Sequence, residues 1–304
     1  MLLPSYVVNV REYRDFLCRS NYEIYEPLDL PCGQCKACRL ALASDWTNRL
    51  VMEYETSDNA LFITWTYDDD HLPKSSLGFP TLDFSHIRKL NQDMTNHFLR
   101  DFGWPSPRHY IAGEYGTLSE RPHYHSIHYN MPIKYLGLRH YKSYRGNEYL
   151  ISDYLTNLWG RGFVVVGSFS VESAGYVSRY VTKKLTGQLN ADRLLKTGRV
   201  QESTRQSNRP GIGYDWLMLH KDDINSLDCV LPGRHKQPLP RYILDKFEDL
   251  EIIDVASLKV ERSTIKQEAL LYSLDVHHMS MEDYLLGQKQ RFESIIKKLP
   301  RKGV

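Results

Sequence analysis

Two histidines separated by one residue, His123 and His125, have the residue type and spacing that most directly suggest chemistry. Side chains alternate between the two faces of a β-strand, so in the strand-like run HYHSIHYN (123–130) both imidazoles point to one face, about 7 Å apart. Imidazole is the commonest side-chain ligand for transition metals. The pair therefore predicts a metal site, although an H-x-H spacing also arises by chance in a chain with 12 His. His128 has the opposite parity and is not expected to take part.

A catalytic metal needs a third ligand, and Glu114 is the best candidate. It lies in the preceding strand-like run, HYIAGEYG (109–116), nine residues before His123. A short connection between the two runs predicts a β-hairpin that brings Glu114 alongside the two histidines. Two imidazoles and one carboxylate leave coordination positions open, which is typical of a catalytic rather than a structural metal site. The alternative is that Glu114 is a solvated strand residue.

Two tyrosines one helical turn apart, Tyr176 and Tyr180, suggest covalent phosphoryl chemistry. The segment VESAGYVSRYVTKKL is helix-like, so both phenols lie on one face, and Lys183 or Lys184 extends that face by another turn. A phenol with a pKa of about 10 is a weak nucleophile at neutral pH, and a nearby lysine and a metal-polarised phosphate would both assist its attack. Two such tyrosines fit an enzyme that makes two successive transfers through phosphotyrosine. The alternative is an aromatic stripe packed into the core.

Three of the five cysteines fall within seven residues, at Cys32, Cys35 and Cys38. This clustering is typical of a metal knuckle in a reducing compartment and not of a disulfide framework. Tetrahedral Zn²⁺ takes four ligands, and Cys18, fourteen residues upstream of Cys32, is the nearest candidate for the fourth. The pattern therefore predicts a structural zinc site, with thiols that bind no metal as the alternative. Cys229 is expected to be a lone core residue.

The elements that must position these residues follow from periodicity and from the placement of Gly and Pro. Helices are predicted over 40–55, over 84–103 and from about 172 onward. The strand-like runs are LFITWTY (61–67), HYIAGEYG (109–116), HYHSIHYN (123–130) and FVVVGSFS (163–170). Because strands and helices do not alternate as in parallel βαβ units, the sequence predicts an α+β fold. We expect an antiparallel sheet with helices packed on one side.

The composition, with 304 residues of which 41% are hydrophobic and 25% charged, is that of an ordinary globular protein. It divides into an irregular Cys-containing segment (1–43), a central domain with the motifs above (44–215) and a mixed or helical C-terminal region (216–304). The formal charge is only +2, but residues 139–209 hold twelve Lys/Arg against five Asp/Glu, which indicates a local basic segment. No apolar run is long enough to predict a transmembrane helix, and no secretory signal is expected.

Three motifs together resemble a known family. FITWTY (62–67), RPHYHSI (121–127) and GYVSRYVTKK (175–184), in this order and spacing, resemble the motifs of His-hydrophobe-His (HUH) rolling-circle replication initiators. The resemblance is greatest to the initiators of small circular single-stranded DNA phages, the microviruses, and especially to the gokushovirus branch. PCGQCKACRL (31–40), followed by a Trp-containing helix, and NRPGIG (208–213) also match that branch.

This resemblance implies a fold and a set of roles. The fold is a central antiparallel sheet of four to five strands flanked by helices, with 44–215 as the HUH endonuclease domain and an appended C-terminal helical region. The two histidines bind Mg²⁺ or Mn²⁺, with Glu114 as the third ligand. Tyr176 and Tyr180 are the nucleophiles, and Lys183 assists them.

The implied reaction starts when a tyrosine attacks the phage origin in single-stranded or supercoiled DNA. It leaves a 5′-phosphotyrosyl linkage and a free 3′-OH, which primes a host DNA polymerase. After one circuit the second tyrosine cuts the regenerated origin, and the strand is rejoined without ATP. Because the sequence has no Walker-type G-x-x-x-x-G-K motif, a host helicase is expected as a further partner. The expected location is the host cytoplasm, with no membrane partner.

Two alternatives stay open. A transposase or plasmid relaxase would use the same HUH pair and tyrosines, but the Cys cluster, the PGIG segment and the lack of a long transfer domain argue against it. A zinc-stabilised single-stranded DNA-binding protein without nicking activity would account for the basic segment and the 21 Tyr. It would leave both the HYH and the YxxxY motif unexplained.

Overall fold

The computed structural model describes residues 31–116, 119–144, 146–179, 188–224 and 226–298. Its strands are β1 (Ala60–Thr66), β2 (Arg108–Tyr115), β3 (Pro122–Tyr129), β4 (Arg139–Tyr144), β5 (Asn147–Ile151), β6 (Val164–Ser168), β7 (Ser203–Gln206), β8 (Asp228–Cys229) and β9 (Gln237–Pro238). Its helices are α1 (Lys36–Glu55), α2 (Phe84–Phe102), α3 (Asp153–Trp159), α4 (Val171–Ser178), α5 (Gln188–Thr197), α6 (Tyr214–His220), α7 (Arg241–Asp249), α8 (Val255–Val276) and α9 (Met281–Lys298).

Local sequence signals set both ends of the long helix α2. At its start the Asp83 side chain accepts a hydrogen bond from the Ser85 backbone N–H, and at its end Gly103 adopts the left-handed conformation with φ 63°. Its buried residues recur at helical spacing and form its inward face: Ile87, Leu90, Met94 and Phe98. The helix predicted over 84–103 is confirmed. Helix α1 begins at Lys36, a turn earlier than predicted.

Seven strands form one antiparallel sheet, in the order β4–β5–β6–β1–β3–β2–β7. The four runs predicted as strands correspond to β1, β2, β3 and β6. The β4–β5 hairpin extends one edge and β7 extends the other, so the sheet has more than the four to five strands that the resemblance implied. The α+β class with a helix-flanked antiparallel sheet is confirmed.

Helices cover both faces of the sheet, in contrast to the one-sided packing that the sequence pattern suggested. Alternate residues of a strand point to opposite faces. On one face, named face A, Ala112 and Ile127 pack with Leu50 of α1 and with residues of α4. On the opposite face, named face B, Ile63 and Trp65 pack with α2 and α3. Both parities of the central strands are apolar, so each face needs its own cover.

The segment NRPGIG (208–213) is held as a tight turn against its neighbours. The Glu53 carboxylate of α1 accepts a hydrogen bond from the Gly213 backbone N–H at 2.7 Å, and the Tyr242 hydroxyl accepts one from the Gly211 N–H at 3.1 Å. A Cβ atom at Gly211 would lie 2.6 Å from the Tyr242 ring, so a larger residue would displace the ring. The glycine is therefore required by packing.

Contacts divide the chain into two compact units. One is Leu40–Ile253, which holds the seven-stranded sheet and both of its cores. The other is Met1–Arg39 with Asp254–Val304, and its described part includes α8 and α9. Among the described helices, none combines the length and the apolar character needed to cross a bilayer. The sequence-based boundaries at 43/44 and 215/216 stay predictions.

Candidate metal centre and active site

The β2–β3 hairpin brings Glu114, His123 and His125 together. In this antiparallel pair Glu114 lies opposite His123, and Ala112 lies opposite His125, so the three side chains project from face A. One carboxylate oxygen and one nitrogen from each ring lie within 4.8 Å of one another. Glu114 and His125 are buried and His123 is half-buried. The hairpin and the proximity of Glu114 to the histidines are thus as predicted.

Hydrogen bonds on the far side of each ring turn both Nε2 atoms toward Glu114. His123 Nδ1 donates to the Arg121 backbone carbonyl at 3.1 Å, and His125 Nδ1 lies 3.0 Å from Thr64 Oγ1. The two Nε2 atoms are 2.8 and 3.3 Å from Glu114 Oε1. Metal-ligating histidines have this arrangement, with one ring nitrogen held by an outer partner and the other directed at the ion.

The Glu114 carboxylate is held in its charged form. Burial alone would raise its pKa, but the hydrogen bonds from His123 and His125 and their electrostatic attraction outweigh burial and lower the pKa to about 2. The site therefore offers one anionic oxygen and two imidazole nitrogens on a rigid hairpin. This donor set suits a divalent cation and leaves coordination positions for a substrate oxygen.

Tyr176 lies directly beside the histidines. Its ring centroid is 5.3 Å from that of His125, nearly edge-on, and 6.1 Å from that of Phe62. Phe62 in turn stacks on the His125 ring, with the centroids 5.5 Å apart. Tyr176 is half-buried, so part of its side chain reaches solvent. The arrangement places a phenol next to the three ligand side chains.

Helix α4 fixes Tyr176 over face A. At its N-terminus the Ser173 backbone N–H donates to the Ser170 hydroxyl and the Ser170 N–H donates to the Ser173 hydroxyl, which is a capping box. One turn from its other end, the Ser178 and Thr47 hydroxyls are 2.7 Å apart, which ties α4 to α1. Tyr176 lies between these two anchors.

Three predicted site residues, Tyr180, Lys183 and Cys18, lie outside the described residues, and their roles stay predictions. His128, the histidine of opposite parity, is fully buried on face B, with its ring 6.0 Å from that of Trp65. It is therefore not part of the ligand set.

Cys32, Cys35 and Cys38 converge at the start of α1. Their sulfurs all lie within 4.8 Å of one another, and those of Cys32 and Cys38 are 3.9 Å apart. The Cys35 backbone N–H donates to the Cys32 sulfur, and the Cys38 N–H donates to the Cys35 sulfur. Backbone hydrogen bonds from Cys35 and Gln34 lower the pKa of Cys32 to about 7, which favours the metal-binding thiolate. Cys229 is buried, as predicted for a core residue.

The outer partners of the histidines, Thr64 and the Arg121 carbonyl, were not predicted from the sequence. Thr64 has a signal in hindsight, because it shares the parity of Phe62 in the FITWTY strand and its register places it opposite His125. The Arg121 carbonyl has none, because every residue carries the same backbone group.

Comparison with known proteins places the chain among phage proteins. The model of a family described as replication-associated protein ORF2 matches residues 60–185. Replication-associated protein ORF2 of Spiroplasma virus 4 is 30% identical over 281 residues, which cover 90% of this chain and 85% of that protein. Replication-associated protein VP4 of Bdellovibrio phage phiMH2K is 30% identical over 219 residues, 72% and 67% of the two chains. No solved structure matches the chain.

The matched segment runs from β1 past the tyrosine helix and includes the described site residues from Phe62 to Tyr176. A third relative, Replication-associated protein ORF4 of Chlamydia phage 1, is 26% identical over 228 residues, 73% of this chain and 54% of that protein. The resemblance inferred from the three motifs is confirmed. The chain belongs to the ORF2 family of replication-associated proteins of small single-stranded DNA phages.

Proposed function

We propose that the protein is the metal-dependent endonuclease and strand transferase that starts rolling-circle replication of a circular phage DNA. Membership in the ORF2 family gives it a replication-initiator role. The nuclease activity and its two-tyrosine HUH chemistry are our inference. One observation carries it: the Tyr176 ring lies 5.3 Å from the His125 ring, beside the group that Glu114 forms with the two histidines.

The three ligand residues fit Mg²⁺ or Mn²⁺. Glu114 contributes an ionised oxygen, and His123 and His125 direct Nε2 to the same point because their Nδ1 atoms are held from behind. A divalent cation bound there would polarise the scissile phosphate and neutralise the negative charge that develops on it. The hairpin keeps the ligands in place, and α4 keeps the phenol beside them.

In the first step the Tyr176 oxygen attacks the scissile phosphorus. An O–P bond forms between the phenol oxygen and phosphorus while the bond from phosphorus to the 3′ oxygen breaks. The phenol gives up one proton and the departing 3′ oxygen gains one, so the products are a 5′-phosphotyrosyl strand and a free 3′-OH. Because the phosphotyrosine keeps the energy of the phosphodiester bond, later rejoining requires no ATP.

A second transfer closes the circle, and we assign it to Tyr180 with assistance from Lys183. This assignment rests on the resemblance of the GYVSRYVTKK motif alone. After a host polymerase has extended the 3′-OH around the circle, the second tyrosine cuts the regenerated origin. The 3′-OH released by that cut attacks the first phosphotyrosine and restores a closed strand. A host helicase is the proposed partner for opening the duplex form.

We also propose that Cys32, Cys35 and Cys38 hold a structural Zn²⁺, with Cys18 as the fourth ligand. Zn–S bonds of about 2.3 Å in a tetrahedron place neighbouring sulfurs about 3.8 Å apart, and the Cys32 and Cys38 sulfurs are 3.9 Å apart. Elemental analysis should find one zinc per chain and a clear loss in Cys35→Ser. A zinc content unaffected by that substitution would contradict the site.

A nicking assay tests the proposed reaction. Single-stranded oligonucleotides that tile the phage origin are incubated with the protein, with and without Mn²⁺, and are resolved on a denaturing gel. We expect a Mn²⁺-dependent cut whose 5′ end is bound to the protein. Tyr176→Phe should lower adduct formation, and the Tyr176→Phe, Tyr180→Phe double variant should abolish it. Tyr135→Phe, which removes the hydroxyl of an exposed tyrosine elsewhere, is the matched control.

Two outcomes would contradict the proposal in different ways. Metal-dependent cutting without a protein adduct would indicate a hydrolytic nuclease and would make the tyrosines packing residues. Tight binding without any cutting would indicate a single-stranded DNA-binding protein.

A further inference from the structure

Beyond β6, the sheet exposes a group of aromatic side chains around one lysine. We call this group the aromatic strip, and it consists of Tyr141, Lys142, Tyr144, Tyr149 and Phe163. Phe163, Tyr141 and Tyr144 are 42%, 46% and 50% exposed. The Tyr141 and Phe163 ring centroids are 5.5 Å apart, and Lys142 Nζ lies 5.4 and 5.6 Å from the rings of Tyr141 and Tyr149. Contiguous exposed rings of this kind mark interaction sites, whereas single exposed ones do not.

The aromatic strip lies on face A, as does the candidate metal centre. Thr66 pairs with His123, and the Thr66 backbone N–H donates to the Phe163 carbonyl, so Phe163 follows His123 two strands across the sheet. Tyr149 pairs with β6 four residues after Phe163, and therefore at the same parity. It also pairs with Lys142 of β4. Opposed side chains of antiparallel strands share a face, so the strip continues the surface that carries the metal ligands.

The distance suits a short run of nucleotides. From β3 to β4 the sheet order contains four strand spacings, about 19 Å at about 4.8 Å each. A stacked nucleic-acid strand advances about 3.4 Å per nucleotide. About five or six nucleotides therefore reach from His123 to the outer strand.

The chemistry of the surface favours single-stranded nucleic acid. Residues 134–163 contain five Lys/Arg against two Asp/Glu, which attracts phosphates. Aromatic side chains stack on bases that have left the double helix, in a manner tolerant of sequence. An acidic protein partner would use the positive charge but would have no need for a row of exposed rings.

We propose that the aromatic strip is the track that binds single-stranded DNA on one side of the scissile phosphate. Bases stack on Phe163 and Tyr141, and Lys142 contacts the backbone between them. The proposal rests on the proposed function for the position of the scissile phosphate, which is the metal centre. The strip would then hold the strand in a fixed register with respect to Tyr176.

Binding of labelled oligo(dT) of about twelve nucleotides, twice the expected footprint, tests the strip. Fluorescence anisotropy is measured in EDTA over a range of KCl concentrations, so no cleavage is involved. Tyr141→Ala and Phe163→Ala should each weaken binding about 5- to 100-fold, because a stacked base contributes about 1–3 kcal/mol. Lys142→Ala should reduce the slope of log K against log salt by about 0.7.

Tyr135→Ala is the matched control, because Tyr135 is also exposed but stacks on Phe102, which packs against the core of face B. Its affinity should equal that of the wild type. Tyr141→Leu and Phe163→Leu keep apolar bulk without a ring, so they reveal the loss of stacking if an alanine variant fails to fold by circular dichroism.

The outcomes separate this proposal from the proposed function. Unchanged affinity in the strip variants, or an equal loss in Tyr135→Ala, would overturn the strip. So would a loss of duplex binding as large as the loss of single-strand binding. A wild-type protein that binds oligo(dT) through the strip but never nicks origin DNA would contradict the nuclease function and leave the strip intact.

Discussion

The His125 imidazole is oriented by one side chain, Thr64, whose hydroxyl lies 3.0 Å from Nδ1. Thr64→Val keeps the shape of this side chain and removes the hydroxyl, so the ring loses the partner that fixes its direction. Loss of such a partner typically lowers metal affinity or activity about 10- to 100-fold. We expect a decrease of that size in the apparent Mn²⁺ affinity, measured as the nicking rate against Mn²⁺ concentration.

Thr66→Val is the matched control for this prediction. Thr66 lies two residues further along the same face of β1, but its hydroxyl donates to the Phe163 carbonyl and not to a histidine. Its Mn²⁺ affinity should stay within about twofold of the wild type. Equal decreases in both variants would attribute the loss to strand β1 as a whole.

The low pKa of Glu114 makes the stability of the metal-free protein sensitive to acid. Because this pKa is about 2 in the folded chain against an ordinary 4.5, the unfolded chain binds a proton in this window and the folded chain does not. The contribution of Glu114 is complete above about pH 4.5 and is lost as the pH falls toward 2. Between pH 5 and pH 2 we expect the wild type to lose about 3 kcal/mol more unfolding free energy than Glu114→Gln.

Denaturant titrations of both metal-free proteins at several pH values would measure this difference. Glu114→Gln keeps the size of the side chain and removes its titration, so the comparison isolates one proton. Parallel pH curves for the two proteins would contradict the prediction.

Among the elements, helix α4 determines where the nucleophile lies, and its capping box anchors the end that precedes Tyr176. Ser170→Ala removes this cap, which costs about 1 kcal/mol and loosens the first turn of the helix. We expect a lower melting temperature and a severalfold slower formation of the protein–DNA adduct at saturating DNA. Both are measured well below the melting temperature, so that the variant is folded.

Ser152→Ala provides the comparison, because Ser152 caps α3 against the opposite face of the sheet. It should lower stability to a similar or greater extent while leaving the rate of adduct formation unchanged. If both cap variants slow the reaction equally, general destabilisation explains the effect and α4 has no special role.

The same scale shows which parts of the fold could be predicted from the sequence. The β2–β3 hairpin was predictable because its strands combine apolar alternation with a short connection, and this was enough to bring Glu114 to His123. The β4–β5 hairpin was not, because every residue of β4 is exposed and its sequence RHYKSY lacks an apolar face. The short polar strand β7 gave no signal for the same reason. Its place in the sheet comes from pairing with β2, a long-range contact that no local pattern encodes.

For the molecule as a whole, the division into two units predicts what can be removed. The unit Leu40–Ile253 contains the sheet, both cores, the three ligand residues and Tyr176. A chain that ends after Ile253 lacks α8 and α9 but keeps all of these. We expect it to retain Mn²⁺-dependent nicking of origin DNA at a rate within about tenfold of the full chain.

The full chain assayed in parallel is the reference, and a circular dichroism melt of the shortened chain shows whether it folds. A folded but inactive shortened chain would show that the C-terminal helices contribute to the reaction. Recovery of activity on adding the missing segment as a separate peptide would support the same conclusion.

Net charge is a property at this scale that conceals the arrangement beneath it. The formal charge of +2 comes from 39 basic and 37 acidic residues, yet twelve of the basic residues and only five of the acidic ones fall in 139–209. The sequence showed this asymmetry but not its geometry. Only the strand order shows that the hairpin at the start of this segment continues the face that carries the metal ligands.

Within the described residues, β4 is the outermost strand on its side of the sheet. Its free edge is a template on which a strand from a second copy could pair, which is the usual route to aggregation of sheet proteins. Two features oppose this: the irregular register between His140 and Lys142, which interrupts the ladder, and the charge of Lys142 itself. The lysine proposed to contact DNA thus also helps to keep copies of the protein apart. A substitution there is expected to change solubility as well as affinity.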